Sequence, residues 1–300
     1  MGMSLVESAP GHILELTRLS RVTRIGGVTP GSLPMDRTTQ LILRSLVHGE
    51  LLVGDLPEAS TLDRSSFRMP ASARALDTNQ KLGHLYEDAL AVLLDACPNY
   101  ERLERNLQIH DEKGATLGEF DFLLRDRKSD RMIHLELAVK FYLAVETDEG
   151  LVFPGPDARD NYHRKLSRLR QRQLTLGQTY RRFLPEPYRR QEIVARQLVY
   201  GCLFDPLRAE ALELPDYGAS DMRRGRWAPV DMLTDGFPPE TEYQIIPKPL
   251  WAVPFEWMAN IEFESWAPTG SVDRCVMLRI NRDPVPYFVT PEKYPYHRET

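Results

Sequence analysis

The stretch Ile133-His-Leu-Glu-Leu-Ala-Val-Lys-Phe-Tyr142 decides which fold this chain adopts. Its odd-numbered positions are all apolar, and its even-numbered positions hold His134, Glu136, Ala138, Lys140 and Tyr142. Successive side chains of a β-strand point to opposite faces of the sheet. The alternation therefore predicts a strand with one apolar face, and it places Glu136 and Lys140 together on the other face. We expect His134 at the exposed rim of that face.

Elements of both kinds surround this strand. Upstream, apolar residues recur at helical spacing from 82 to 96, and alternating patterns at 107–109 and 120–124 predict two strands joined by turns. Downstream, an apolar stripe predicts one long helix from about 160 to 183, and residues 193–204 form an apolar strand pattern. This order predicts an α/β (α+β) fold, a mixed sheet flanked by helices.

The predicted core spans residues 81–206. Before it we expect a disordered tail at 1–34 and a helical addition at 35–80, in which Asp36 caps the first helix. After it, residues 207–300 are rich in proline and tryptophan and predict a β-rich addition packed on the core. Two alternating stretches there, 276–280 and 286–289, predict a final hairpin.

Composition restricts the class of protein. A net charge of −5 argues against a protein that binds nucleic acid through its overall charge, and it does not exclude a local basic groove. The three cysteines are far apart and form no CxxC pair, which excludes a zinc ribbon and disfavours a disulfide scaffold. With no secretory signal pattern and no apolar run long enough for a membrane span, we expect a cytoplasmic location and no membrane partner.

Two carboxylates stand on neighbouring strand patterns. Asp121 and Glu136 are separated by one polar turn, so pairing of the two strands as a hairpin brings them to one face near one level. Carboxylates that converge in this way repel each other unless a cation neutralises them. Oxygen ligands suit Mg²⁺ or Mn²⁺, which keep several waters and bridge to phosphate groups. Lys140 shares the face of Glu136, and Glu87 on the preceding helix supplies a further carboxylate.

A basic helix follows this acidic pair. Arg164, Arg168 and Arg172 repeat every fourth residue, as positions on one helical face do, and Lys165 lies among them. A basic face beside a metal site is what binding of a phosphate backbone requires. The alternative is an ordinary solvated helix, which is the usual reason for such a run of charge.

The chain resembles the PD-(D/E)XK nuclease superfamily in the order of these motifs: a helix with Glu87, Gly118-Glu-Phe-Asp121, then His134-Leu-Glu-Leu-Ala-Val-Lys140 and a basic helix. It is most similar to a bacterial family of unknown function, DUF1853, in which a Glu-x-Ala-x-Lys-Phe-Tyr segment is characteristic. The resemblance implies a restriction-endonuclease-like core and phosphodiester hydrolysis. It further implies a Mg²⁺ or Mn²⁺ site at Asp121, Glu136 and the Leu137 carbonyl.

One departure from the superfamily pattern concerns the lysine. Ala138 stands two residues after Glu136, where the superfamily has lysine, and Lys140 comes four residues after it. Along an extended strand that is about 13 Å, not about 7 Å. A bulge could shorten the reach of Lys140, and Lys165 on the following helix is a possible substitute.

These observations favour a metal-dependent nuclease whose partner is nucleic acid, DNA rather than RNA. A second interpretation is a catalytically inactive protein that keeps the fold to bind nucleic acid or protein, and a third is a hydrolase of small phosphoesters. A fourth is that Asp121 and Glu136 are ordinary charges on the solvated face of a half-exposed sheet.

Overall fold

The computed structural model of the protein describes residues 35–268 and 271–295. The predicted tail, residues 1–34, lies outside these described ranges. The residues described belong to one compact unit. None of its helices combines the length and the apolar composition that a membrane-spanning helix needs.

The first helices follow the sequence prediction. Helix α1 (Arg37–His48) begins at Asp36, whose carboxylate accepts the Thr39 N–H at 3.0 Å, so the predicted cap is confirmed. A short strand β1 (Ser60–Thr61) lies in the polar segment that follows. Helix α2 (Leu82–Asp95) confirms the second predicted helix.

The predicted strand meander is also confirmed, and its strands are longer than the sequence pattern shows. It consists of β2 (Tyr100–His110), β3 (Thr116–Asp126) and β4 (Met132–Leu143). Neighbouring strands of the meander pair antiparallel. A small separate hairpin follows, β5 (Val145–Thr147) with β6 (Gly150–Val152).

The prediction of one continuous helix over 160–183 is wrong. The chain forms α3 (Tyr162–Arg168), a π-helical turn (Leu169–Gln173) and α4 (Leu176–Thr179). The Leu174 N–H bonds the Leu169 carbonyl at 2.9 Å, five residues back. The Thr175 hydroxyl donates to the Gln171 carbonyl at 3.1 Å. A threonine that bonds the preceding turn in this way commonly bends a helix.

The chain returns to the sheet in β7 (Ile193–Pro206), which runs parallel to β4 from the Met132–Ile193 pair to the Leu143–Phe204 pair. The remaining elements are β8 (Arg224–Pro229), α5 (Val230–Gly236), β9 (Tyr243–Ile245), β10 (Val276–Ile280) and β11 (Tyr287–Thr290). Strands β10 and β11 pair antiparallel, which confirms the predicted final hairpin.

One mixed sheet joins nine of these strands within the described residues. Its order is β2-β3-β4-β7-β8-β11-β10-β9, and β1 pairs with β7 beside this path. Neighbours from β4 to β11 run parallel, and the outer pairs run antiparallel. The predicted fold class, a central mixed sheet flanked by helices, is confirmed. The C-terminal strands continue this same sheet.

Helices cover both faces of β4. On one face, Leu135 and Phe141 pack in a core with residues of α1 and α2. On the other face, Tyr142 packs with Tyr162 and Leu166 of α3. The even-numbered side of β4 is therefore an interior face. The interpretation of Glu136 as a charge on a solvated sheet face is wrong.

Candidate active site

Asp121 lies where two neighbouring strands separate. Strands β3 and β4 pair from Arg125 and Met132 as far as Phe122 and Leu135, whereas β4 continues beside β7. One oxygen of Asp121 (Oδ2) accepts the Leu137 N–H at 2.8 Å. Beyond the last β3–β4 pair, the Leu137 N–H of β4 therefore bonds the Asp121 carboxylate and not a backbone carbonyl of β3. The carboxylate lies in the fork between the two strands.

The alternation of β3 breaks at the same point. Phe120 lies on the α4 side of the sheet, where its ring stacks on His134 with a centroid separation of 3.8 Å. Phe122, two residues on, packs on the α2 side instead. Regular pleating would put both phenylalanines on one face. The irregularity turns the carboxylate of Asp121 towards the strand fork.

Glu136 is buried, with 2% of its surface exposed, and both its oxygens accept hydrogen bonds. His134 Nε2 lies 2.7 Å from Oε1, and Gln173 Nε2 donates to Oε2 at 2.5 Å. His134 is itself only 1% exposed, so its predicted position at an exposed rim is wrong. The reason is the cover of Phe120 and the helical segment over this face.

The surroundings of Asp121 strongly affect its ionisation. Burial, and then the negative charge of Glu136, raise the pKa of Asp121 to about 8, and the charge of Glu87 acts in the same direction. The hydrogen bond from Leu137 and the charge of Lys165 act in the opposite direction. Asp121 thus keeps its proton at pH values where an ordinary aspartate is ionised.

The predicted lysines occupy different positions. Lys140 donates to Asp160 Oδ2 at 2.7 Å in an ion pair. Lys165 donates to Gln173 Oε1 at 3.1 Å. Burial, and then the nearby charge of Lys140, lower the pKa of Lys165, whereas Glu136 and Asp121 raise it. Lys165 is therefore the lysine whose charge acts on both carboxylates.

The π-helical turn brings Lys165 and Gln173 to the same side. Eight residues of a regular helix, at roughly 100° each, would leave the two side chains about 80° apart. A π-turn contains one additional residue. The side chains of Lys165 and Gln173 are then oriented roughly like those of two residues seven apart in a regular helix, which point in directions about 20° apart. This explains how both side chains reach the face of Glu136.

Glu87 approaches Asp121 from the opposite side of the sheet. Its side chain on α2 is 13% exposed, and it lies 3.7 Å from Arg105 Nη2 and 3.5 Å from His84 Nδ1. Its negative charge contributes to the raised pKa of Asp121. The structure thus brings Glu87, Asp121, Glu136 and Lys165 together, while Lys140 stands with Asp160.

Sequence reasoning missed two glutamines at this site. Gln173 lies beyond the break in the predicted helix, and only the π-turn directs it to Glu136. Gln197 is the partner of Glu136 across β4 and β7, so the two side chains share a face. It is fully buried, and its Nε2 donates to the Gly54 carbonyl at 2.8 Å. Its Oε1 has no hydrogen-bond partner among the described residues.

The donor set fits a hard cation that keeps part of its water. No group of three or more His, Cys, Asp or Glu side chains in the described ranges could hold a metal ion, which disfavours a closed protein cage. Mg²⁺ commonly takes only one or two protein carboxylates. Asp121 and Glu136 would supply these, and a carboxylate has about four lone-pair sites, enough for both hydrogen bonds and a metal. Gln197 Oε1, which has no hydrogen-bond partner in the described part of the chain, would offer another oxygen beside Glu136.

The predicted basic residues lie on the exposed side of the helical segment. Arg164, Arg168 and Arg172 are exposed, and none forms an ion pair with another described residue. Arg170, in contrast, forms two hydrogen bonds to Glu58, at 2.8 and 2.9 Å. Three unpaired arginines on the outside of the segment that holds Lys165 are suited to contact phosphate groups.

A family model described as Domain of unknown function (DUF1853) matches residues 57–290 of the chain. This range contains every residue of the candidate site. No curated protein and no solved structure matches the chain. The similarity expected from the segment Glu136-Leu-Ala-Val-Lys-Phe-Tyr142 is thereby confirmed, and the resemblance to PD-(D/E)XK nucleases stays a prediction.

Proposed function

The chain belongs to the DUF1853 family, and we propose that this protein is a metal-dependent nuclease with a site of PD-(D/E)XK type. The observation that carries the proposal is the pair of half-buried Asp121 and buried Glu136 at the strand fork, with the Lys165 ammonium beside both. Burying two carboxylates together is costly unless a cation compensates for their charge. Perturbed groups of this kind concentrate at functional sites.

Asp121, Glu136 and the Leu137 carbonyl would hold one Mg²⁺ or Mn²⁺. When bound, such an ion lowers the pKa of a coordinated water and neutralises charge on a phosphoryl group. His134 and Gln173 hold the Glu136 carboxylate in one orientation by hydrogen bonds to its two oxygens. A fixed carboxylate needs little rearrangement during the reaction.

Lys165 would act on the nucleophile and the reacting phosphate. Because its pKa is lowered, its ammonium group gives up a proton more readily than an exposed lysine does, and in its charged form it stabilises negative charge on the phosphoryl oxygens. The carbonyl oxygen of Gln173 fixes the position of this ammonium group. We assign to Lys165 the role that the superfamily pattern gives to a strand lysine.

Nucleic acid, DNA rather than RNA, is the proposed substrate. The exposed side chains of Arg164, Arg168 and Arg172 would contact its phosphates from the outer side of the segment that holds Lys165. Such contacts fix the position of a strand without reading its sequence. They also make binding strongly dependent on salt concentration.

A binding protein without catalytic activity is the second candidate. The observation that favours it is the hydrogen bonding of Glu136, because His134 and Gln173 each bond one of its two oxygens, as in a cluster that serves the fold. In this case the buried polar cluster would serve the fold, and the arginines would still bind nucleic acid.

Cleavage of labelled single- and double-stranded DNA and RNA separates the two candidates. The protein is incubated with Mg²⁺, with Mn²⁺ or with EDTA, beside Asp121→Asn and Glu136→Gln. The nuclease proposal expects metal-dependent cleavage by the wild type and a loss of at least about 100-fold in both variants. Lys140→Met serves as the control, because Lys140 pairs with Asp160. Folded wild-type protein that cleaves none of these substrates would favour the binding protein.

A further inference from the structure

We propose that Tyr217 and Arg170 form a base-stacking platform and that the substrate is single-stranded nucleic acid. The inference rests on the proposed function only in taking nucleic acid as the ligand. The platform is defined as the ring of Tyr217 with the guanidinium of Arg170 stacked on it.

Tyr217 is presented to solvent in an unfavourable backbone conformation. It is 39% exposed, one of three exposed large hydrophobic side chains among the described residues, with Leu214 and Met232. Its φ of 61° is in the left-handed region, which is rare for a bulky residue and carries strain. Strained conformations of this kind concentrate at ligand-binding positions.

Two hydrogen bonds fix the segment that carries Tyr217 next to the candidate site. The Gly54 N–H donates to the Tyr217 carbonyl at 2.9 Å. The hydroxyl of Tyr162, the first residue of α3, donates to the Asp216 carbonyl at 2.7 Å. The backbone that carries the Tyr217 ring is therefore hydrogen-bonded to the same helical segment that carries Lys165.

Arg170 makes the ring a rigid surface. Its guanidinium carbon lies 4.6 Å from the centroid of the Tyr217 ring. Its Nε and Nη2 donate to the two oxygens of Glu58, so the guanidinium plane has little freedom to turn. An aromatic ring with a fixed cation on one face is suited to stack a nucleobase, because stacking on aromatic rings is favourable for every base.

The position of the platform favours a single strand. Arg170 belongs to the same π-helical turn as Gln173, which bonds Glu136. The exposed Arg168 and Arg172 are its neighbours along the same segment, on the outer side of the helix. One helical segment thus carries exposed arginines for the backbone on its outer side and holds an aromatic ring for the bases through Arg170, and basic side chains combined with stacking rings are what single-strand binding proteins use. In a duplex, the faces of the bases are covered by their neighbours in the stack.

Binding without hydrolysis tests the platform. Fluorescence anisotropy in EDTA measures the affinity of the protein for labelled single-stranded DNA, single-stranded RNA and duplex DNA of one sequence. Tyr217→Asn removes the ring and keeps a residue that tolerates positive φ. We expect it to weaken single-strand binding about 5- to 150-fold, whereas Tyr217→Phe retains most of the affinity. Met232→Ala, another exposed hydrophobic position, should leave it unchanged.

Unchanged single-strand affinity in Tyr217→Asn would overturn the inference. Binding of the duplex as tightly as the single strand would also overturn it. So would a wild-type protein that binds none of the three nucleic acids. The DNA and RNA arms show which sugar the platform accepts. If single strands bind through Tyr217 but no cleavage occurs with Mg²⁺ or Mn²⁺, the nuclease proposal fails and the platform stands. If cleavage occurs and Tyr217→Asn binds normally, the platform fails alone.

Discussion

Replacement of Asp121 by asparagine should stabilise the protein at alkaline pH. The Asp121→Asn side chain keeps an oxygen that can accept the Leu137 N–H, and it removes the negative charge beside Glu136. In the wild type, burial and the charge of Glu136 raise the pKa of Asp121 to about 8. The variant has no such group, so its free energy of unfolding should depend less on pH.

The sign and size follow from proton linkage. An unfolded chain releases the Asp121 proton near the ordinary pKa of about 3.9, whereas the folded protein keeps it to higher pH. Between these values the folded state binds more protons, so the stability of the wild type falls as the pH rises. About four units at roughly 1.4 kcal/mol each give a ceiling of about 6 kcal/mol. We expect a relative gain for Asp121→Asn on the order of a few kcal/mol between pH 5 and pH 9.

Urea unfolding in EDTA at pH 5, 7 and 9 measures this gain. Asp148→Asn, at an exposed position, is the control, and its difference from the wild type should not change with pH. Stability differences that stay constant from pH 5 to pH 9 for Asp121→Asn would refute the reasoning, because they would mean that Asp121 ionises equally well in the folded and unfolded states.

Three further outcomes follow from the same site. Lys165→Met should lower the cleavage rate about 100-fold or more, whereas Lys140→Met should lower it less than about tenfold, as single-turnover assays can determine. Gln173→Leu leaves one oxygen of Glu136 without its donor and should cost about 1–3 kcal/mol in the free energy of unfolding, measured by urea denaturation. Mn²⁺ should raise the thermal midpoint of the wild type more at pH 8 than at pH 6, because protons compete for the carboxylates, and this increase should vanish in Glu136→Gln.

The acidic pair could be predicted because it depends on local pattern. Alternation in β4 determines which face Glu136 occupies, and the short turn between β3 and β4 makes Asp121 its neighbour. The irregularity at Asp121 could not be predicted in this way. It depends on Phe120 packing against His134 on one side of the sheet and on Phe122 packing below α2 on the other, and the alternation of the sequence records neither contact.

The surroundings of the pair depend on tertiary structure. His134 has the pattern of an exposed strand residue, and it is buried because the segment from α3 to α4 covers it. Gln173 contacts Glu136 only because a π-turn shifts the helical register, and the helical apolar stripe does not record that turn. Lys165 was predicted as a substitute for Lys140, and its charge acts on both carboxylates because the same helical segment packs on β4.

A titration with Mn²⁺ tests the central claim most directly, because it measures whether Asp121 and Glu136 form a cation site. Calorimetry on the wild type, Asp121→Asn and Glu136→Gln, with folding verified by circular dichroism, gives the number of bound ions and their affinity. The account predicts one site in the wild type and at least about tenfold weaker binding in each variant. Equal Mn²⁺ affinity in all three folded proteins, or no binding to the wild type, would contradict it.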